Sequence, residues 1–416
     1  MRKELHPRVL TIAFAIGYFV FYLCRVGLSV VRPVWLTELI ATGASEPDAL
    51  RMVGNIVSIG MLAAAVCKLT VGRWIDRERP TKPYVIGGLL VALTTVVVAT
   101  GWYASWLLGS VAHRAAQTLG WPSLSKWVAS TESVANRNRV LGYCSMSWIL
   151  GDALARFSHG ALINAGVPWR WSFFAAAFLV VACMGGILTI APRISASVDF
   201  VDDTDHIELG SDAADCSLSM QRAFWGALGL SIALSLSREA LLEWMPTYLV
   251  SIGLLRPGGA SILSAVVPLG AAAGTLYLGK VYYRVPGKTR PKAFTFFLVI
   301  AAVGLMSIPL ASSSLTIMLL CLIAIGITLG GAYATLLGEV AASLGGRRNV
   351  ASTTSIIDGV GSIAGILAGR GIAELVAVFG WGVVWFGLGS ICVLALAGWI
   401  VTDKSTPLFG EKSGNT

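Results

Sequence analysis

The sequence predicts an all-α membrane protein with twelve transmembrane helices in two six-helix bundles. Three observations carry that prediction. The 416 residues are 56% hydrophobic and only 13% charged, with a mean hydropathy of +0.75, whereas soluble domains carry ~25% charged residues. Apolar runs close to the ~20 residues that a spanning helix needs recur along the whole chain. The basic residues outside those runs gather in alternate loops. This composition excludes a disordered chain, which is apolar-poor and charge-rich. It also excludes a string of soluble domains.

The helices are expected at 9–36, 52–75, 84–101, 104–128, 140–164, 171–192, 223–250, 258–283, 293–310, 313–341, 351–376 and 381–402. The basic start, Met1 to Arg8, leads into a long apolar run without a small-residue cleavage site, so it is read as a retained first span. The longest non-apolar stretch, 193–222, holds seven acids between Asp199 and Asp215 and separates six helices from six. It is read as an acidic cytoplasmic linker. The organisation is then an N-terminal bundle over 1–192, the linker over 193–222, a C-terminal bundle over 223–402 and a cytoplasmic tail over 403–416.

Orientation follows from the loops. With the N-terminus inside, the inner segments carry 21 Lys and Arg, and the outer loops carry only Arg51, Arg170 and Arg256. Positive charge stays on the cytoplasmic side, so both termini are placed in the cytoplasm and the chain in the cell (inner) membrane. The net charge of +9 does not denote a nucleic-acid partner, because the bases sit in short loops and not along one face. The seven cysteines have no CxxC pair and no metal-ligand spacing. They read as small core residues, so no disulfide framework, metal or cofactor is expected. There is no phosphate-binding G-x-x-x-x-G-K-[ST] loop and no nucleophile–base arrangement, so neither an ATP-driven pump nor an enzyme is expected.

Seven bases fall inside predicted spans: Arg25, Arg32, Lys68, Arg114, Arg156, Arg238 and Arg370. Arg32 and Arg370 are placed near helix ends, from which long side chains can snorkel. Arg25, Lys68 and Arg238 are deeper, where a charge costs ~2.5–3.5 kcal/mol. They must meet a wet cavity, an acid or an anionic ligand. In helix 1, Tyr18, Tyr22, Arg25 and Ser29 step by 4, 3 and 4 and share one face. Arg238 occupies helix 7 as Arg25 occupies helix 1. One guanidinium from each half suits a dianion, which it binds in a planar, bidentate way.

Acids offer other partners. Arg238 can pair within its own helix with Glu239 or Glu243, and Arg25 with Asp152. Helix 5 carries Ser145, Trp148, Asp152, Arg156 and His159 on one face, so Asp152 can form an i,i+4 salt bridge with Arg156 or act as a proton or charge partner in transport. Asp358 in helix 11 is a second buried acid open to either role. Glu339 and Glu374 are expected to be structural. Gly120-Trp121-Pro122 reads as a kink in helix 4, tolerated where backbone lines a cavity.

The halves also look related. Val71–Arg77 after helix 2 matches Leu278–Arg284 after helix 8 in its glycine, the following base and the closing Arg. Thr118-Leu119-Gly120 meets Thr328-Leu329-Gly330 in helix 10. Transporters with such repeats bind substrate near the midplane, at the repeat interface.

With these residues in hand, the chain resembles the major facilitator superfamily. Gly72-Arg73-Trp74-Ile75-Asp76-Arg77 looks like its loop 2–3 signature, and the resemblance implies that Gly72, Asp76 and Arg77 belong to a gate. Within the superfamily the chain is similar to the organophosphate:phosphate antiporters, the group of the glycerol-3-phosphate and hexose-phosphate transporters. The match rests on Tyr18, Tyr22 and Arg25 in helix 1, Lys68 in helix 2, and Gln117, Gly120, Trp121 and Pro122 in helix 4. It continues with Trp148 in helix 5 and Arg238, Trp244, Pro246, Thr247 and Tyr248 in helix 7. The resemblance implies a substrate site that includes Arg25, Arg238, Lys68, Tyr18, Tyr22, Trp148 and Asp152. It also implies exchange of an organic phosphate for inorganic phosphate by alternating access. The departures are Val26, Asp152, Ser235, Pro268 and Tyr283, which make the site less positive than in those transporters. Proton-coupled carriage of another organic anion and a membrane sensor of sugar phosphate are the other functions weighed. The expected partners are the small anion and the lipid bilayer, and the chain is expected to be a monomer.

Overall fold

A computed structural model describes residues 7–195, 218–284 and 290–404. The acidic stretch 199–215, Cys216, the terminal segments 1–6 and 405–416, and the basic loop 285–289 lie outside the described residues. Every regular element among the described residues is helical.

The first expected span is one long helix, α1 (Pro7–Ala41). The second is broken: α2 (Glu46–Thr70) ends before a short α3 (Gly72–Arg77). The third is α4 (Thr81–Ala99). The fourth is also two helices, α5 (Tyr103–Gln117) and α6 (Gly120–Thr131). The break falls where the kink is expected, and Pro122 sits in the first turn of α6, where its missing N–H costs no helical bond. Next come α7 (Val134–Asn164), α8 (Trp169–Ser195) and α9 (Leu218–Ser251). The eighth expected span divides into α10 (Pro257–Ser264) and α11 (Val266–Arg284), and the ninth is α12 (Arg290–Ser307). In the tenth, α13 (Leu315–Thr335) runs into a π-helical turn, Leu336–Val340. The eleventh, expected as one helix, is α14 (Ala341–Leu367) followed by α15 (Arg370–Phe379), and the twelfth is α16 (Trp381–Lys404). Thr328-Leu329-Gly330 stays helical where Thr118-Leu119-Gly120 breaks. No proline follows the second copy.

Eight of these stretches are long and apolar enough to cross a membrane: α1, α2, α4, α8, α10 with α11, α13 with its π turn, α14 from Thr353 with α15, and α16. Among the described residues these eight of the twelve expected spans meet that length and apolarity. The α5 and α6 pieces are short, and α7 and α9 carry the buried charges described below, which lower their apolarity.

Two compact units form. One joins the described residues of Met1–Val31 and Ile59–Ala214, and the other those of Arg32–Ser58 and Asp215–Thr416. The last part of α1, from Arg32, and the first half of α2 therefore belong to the second unit.

In the first unit α4 lies against α5 and α8. Its Tyr84 donates to the Phe14 carbonyl of α1 at 2.6 Å and stacks on the Phe14 ring at 4.4 Å. Trp127 of α6 donates to Thr11 at 3.0 Å. These bonds satisfy the polar tips of buried rings, which is what makes aromatic burial in a core favourable.

In the second unit the tightest pair is α11 with α13. Gly270 and Gly274 on one helix face Gly326 and Gly330 on the other, so the backbones touch. A Cβ at Gly274 would collide with the Ile327 carbonyl oxygen, and one at Gly330 would lie 2.5 Å from the Ala271 Cα. Small residues four apart are the usual means of close helix packing in lipid, where burial of apolar surface between helices gains little. Gly398 on α16 has open space where a Cβ would point. Gly274→Ala should therefore lower the melting temperature of the purified protein in detergent, at an overpacking cost of about 1–3 kcal/mol. Gly398→Ala should leave it unchanged or raise it by the ~0.5–1 kcal/mol that Ala gains over Gly in a helix.

Candidate functional site

In the first unit the aromatic face expected on α1 is present. Tyr18 and Tyr22 are buried with their rings 5.5 Å apart. Tyr18 meets Trp121 at 5.8 Å and Tyr22 meets Trp148 at 6.0 Å. The broken helix serves this contact, because a Cβ on Gly120 would lie 2.9 Å from the Tyr18 ring. Arg25 stands half-buried at the end of the face. Its Nη1 donates to the Tyr22 hydroxyl at 3.1 Å, and its guanidinium lies 5.2 Å from the Tyr22 ring centroid. A cation over an aromatic face is held electrostatically, and more strongly where water is excluded.

Asp152 is otherwise engaged. It is buried, and its carboxylate accepts from Arg156 Nε at 2.5 Å, with the Arg156 side chain 1% exposed. The i,i+4 salt bridge is thus formed. One helical turn further, His159 Nε2 lies 2.8 Å from the Leu23 carbonyl and its Nδ1 2.8 Å from Ser172 Oγ, so one imidazole ties α7 to α1 and α8. Lys68 is exposed near the end of α2.

The loop 2–3 signature is held from below. Lys126 Nζ donates to the carbonyls of Ile75, Asp76 and Glu78 at 3.0, 2.6 and 3.0 Å. An ammonium on the last carbonyls of α3 satisfies acceptors that the helix leaves open and opposes its dipole. Gly72 has open space where a Cβ would point, and Asp76 and Arg77 are exposed.

In the second unit Arg238 of α9 donates to Glu239 Oε1 at 2.8 Å, and its guanidinium lies 4.7 Å from the centroid of the Tyr333 ring of α13. Tyr333 in turn donates to Asp358 of α14 at 2.6 Å. Arg238 and Asp358, both expected in the site, are therefore joined through a tyrosine that the sequence reading did not single out. Its signal was present: Tyr333 is the lone hydroxyl-bearing aromatic in a run of small and apolar residues. Gly361 leaves α14 room against Ser231 and Ser235 of α9, and Ser231 donates to the Ile357 carbonyl at 2.6 Å, which brings Asp358 to this layer.

Arg32 differs from expectation. It does not snorkel but is buried, bonded through Nη2 to Glu243 Oε2 at 2.6 Å, through Nη1 to the Glu243 carbonyl, and 5.0 Å from the Trp244 ring. The carboxylate of α9 outweighs the pull of the interface. The rest of the helix 7 motif is packing: Trp244 donates to the Ala368 carbonyl at 2.6 Å, and Tyr248 lies against Trp381 and Trp385. Arg370 and Glu374 of α15 pair with each other, and Glu374 also takes Arg51 of α2 at 3.0 Å.

A helical membrane chain whose interior guanidiniums rest on tyrosine rings is a polytopic membrane protein with polar sites in its core. It belongs to the Major Facilitator Superfamily, a family of transporters and not of enzymes: the family's sequence model matches residues 14–369. Similar proteins include "Putative glycerol-3-phosphate transporter 2" of Arabidopsis thaliana, 22% identical over 99% of this chain and 89% of that protein. Another is "Glucose-6-phosphate exchanger SLC37A2" of Mus musculus, 25% identical over 84% of this chain and 79% of that one. Both fall in the organophosphate:phosphate antiporter group that the sequence motifs indicated. Among solved structures, a POT family transporter in complex with 5-aminolevulinic acid superposes with a TM-score of 0.76 at 14% identity, covering 96% of this chain and 97% of that one. A bacterial homolog of the human lysosomal transporter Spinster, in an inward-facing and occupied conformation, gives 0.74 at 14% identity over 98% and 99%. These two likenesses establish the fold.

The Asp152–Arg156 pair yields a direct test. Removing one partner strands a buried charge, at about 3–5 kcal/mol, whereas replacing both by apolar residues is close to neutral. Arg156→Met should sharply lower the melting temperature, and Asp152→Leu with Arg156→Met should recover most of the loss, as a double-mutant cycle would measure.

Proposed function

We propose that the chain is a secondary active transporter of a small phosphorylated organic anion, taken in exchange for inorganic phosphate by alternating access. One observation carries this reading: each unit holds a mid-helix arginine seated on a tyrosine ring, Arg25 on Tyr22 and Arg238 on Tyr333. A guanidinium retained in a membrane-spanning core is costly and is kept where it binds something. Its fork matches two phosphate oxygens at once. The named activities of the relatives, glycerol-3-phosphate transport and glucose-6-phosphate exchange, support the substrate class.

In this reading Arg25 and Arg238 are both substrate-binding residues, each bringing a guanidinium suited to a phosphoryl group. Tyr18, Tyr22 and Trp148 line the approach, Lys68 adds positive charge, and Asp152 sets the charge balance through Arg156. Asp358 holds Tyr333 beneath Arg238. Gly72, Asp76 and Arg77, braced by Lys126, belong to the gate. The excess of inner Lys and Arg supports cytoplasmic termini in a cell (inner) membrane, and the chain acts as a monomer.

Exchange in proteoliposomes tests this. Vesicles loaded with radiolabelled inorganic phosphate should release it when glycerol 3-phosphate or glucose 6-phosphate is added outside, and not when the parent alcohols are added. Arg25→Lys and Arg238→Lys keep the charge but lose the fork. Each should cut the rate by about 10- to 100-fold, the equivalent of one charged hydrogen bond at ~1.5–3 kcal/mol. Wild-type rates in both variants, or no release with any organic phosphate, would overturn the reading.

A further inference from the structure

Glu239 stands beside the arginine that the proposed function needs for its anion. Its residue is only 7% exposed. One carboxylate oxygen, Oε1, accepts from Arg238 Nη2 at 2.8 Å. The other, Oε2, is buried and has no hydrogen-bond partner among the described residues. An isolated ion in a low-dielectric interior carries a large desolvation cost, and the Arg238 guanidinium at 2.8 Å offsets it.

An incoming phosphate dianion competes for that same cation. If the anion takes the guanidinium fork, Glu239 loses its counter-ion. It also gains a doubly negative neighbour within a few ångströms. Two like charges that close, both shielded from water, do not remain ionised together, and the carboxyl group is relieved by taking a proton. The unpartnered oxygen is already positioned to carry it, since nothing else is bonded there.

We propose that Glu239 is a proton-binding site linked to anion binding: the anion displaces Glu239 from Arg238, and Glu239 takes up one proton from the aqueous phase. The inference rests on the reading that Arg238 binds a phosphorylated anion, and it adds a proton taken up with that anion. Proton uptake is thereby assigned to α9 and not to Asp152, whose charge stays matched by Arg156 at 2.5 Å.

Several other ionisable groups lie on the helices around Glu239. On its own helix are Arg238 and Glu243, and Glu243 is held by Arg32 of α1 at 2.6 Å. From α13 comes Tyr333, which donates to Asp358 of α14 at 2.6 Å, so that carboxylate already has a donor. The π-helical turn carries Glu339. α16 carries Cys392, which lies 3.4 Å from Ser237. α10 has no ionisable side chain, and on α11 the described ionisable group, Tyr277, is exposed. Glu239 is paired at 2.8 Å with Arg238, the proposed anion ligand.

The test is the pH dependence of equilibrium affinity. Glycerol 3-phosphate is the probe, between pH 7 and 9, where a phosphate monoester with a second pKa of about 6 is already a dianion. Any slope then comes from the protein. When binding takes up a proton, affinity falls as pH rises, by up to about tenfold in Kd per pH unit. Wild type should show that slope in titration calorimetry of the detergent-purified protein. Glu239→Gln, which keeps shape and cannot ionise, should bind with a flat profile and more tightly than wild type at pH 9. A flat wild-type profile would mean that Arg238 holds carboxylate and anion together, and would overturn the proposal. So would a slope that survives in Glu239→Gln and vanishes in Asp358→Asn. Absence of phosphate binding in both proteins would overturn the organophosphate reading itself, and the proton linkage with it.

Discussion

A guanidinium in a low-dielectric interior must have somewhere to put its charge, and the core of this protein is arranged around that requirement. Four of the interior arginines meet it in different ways. Arg156 and Arg32 sit against carboxylates at 2.5 and 2.6 Å and are almost wholly buried. Arg25 and Arg238 are half-buried and rest on tyrosine rings. The first pair is closed: their charges are matched inside the protein and their geometry is structural. The second pair is open enough for a guanidinium to reach a ligand. What separates the pairs is exposure: Arg25 and Arg238 stay half-buried, Arg238 even while it is paired with Glu239.

Much else in the fold supports those positions. α1 can present Tyr18, Tyr22 and Arg25 on one face because His159 and Tyr84 fix its backbone from α7 and α4. The break between α5 and α6 lets Trp121 reach Tyr18. In the second unit Gly361 admits α14 close enough to α9 for Asp358 to hold Tyr333. The glycine pairs of α11 and α13 set the spacing of the helix that carries Tyr333. These are packing devices, but each is tied to where an arginine ends up.

The fold class was legible in the sequence because hydropathy and loop charge act over whole segments. The break at Thr118-Leu119 was legible because Pro122 makes it locally. The division after Ser264 has an equivalent signal that went unused, Pro268 in the first turn of α11, whereas those after Thr70 and Leu367 have no proline beside them. Of the site, the aromatic face of α1 followed from spacing alone, and so did the Asp152–Arg156 pair. Tyr333 did not, because its role comes from residues 25 positions away on α14 and from a different helix, α9. Arg32 was misplaced for the same reason: its partner Glu243 lies 211 positions along the chain. Contacts within a helix are written in its period, while contacts across helices need the fold.

The central claim is that the open arginines recognise a phosphoryl group, and ligand-induced stabilisation of the purified protein tests it most directly. A ligand that binds only the folded state at 100 times its Kd adds about 2.7 kcal/mol of stability. Thermal unfolding in detergent with glycerol 3-phosphate, glucose 6-phosphate and inorganic phosphate, each against glycerol or glucose at equal concentration, should show a higher melting temperature for the phosphates alone, and a much smaller shift for each of them in Arg238→Lys. Equal shifts for a phosphate and its parent alcohol, or stabilisation by a carboxylate with none by any phosphate, would contradict it.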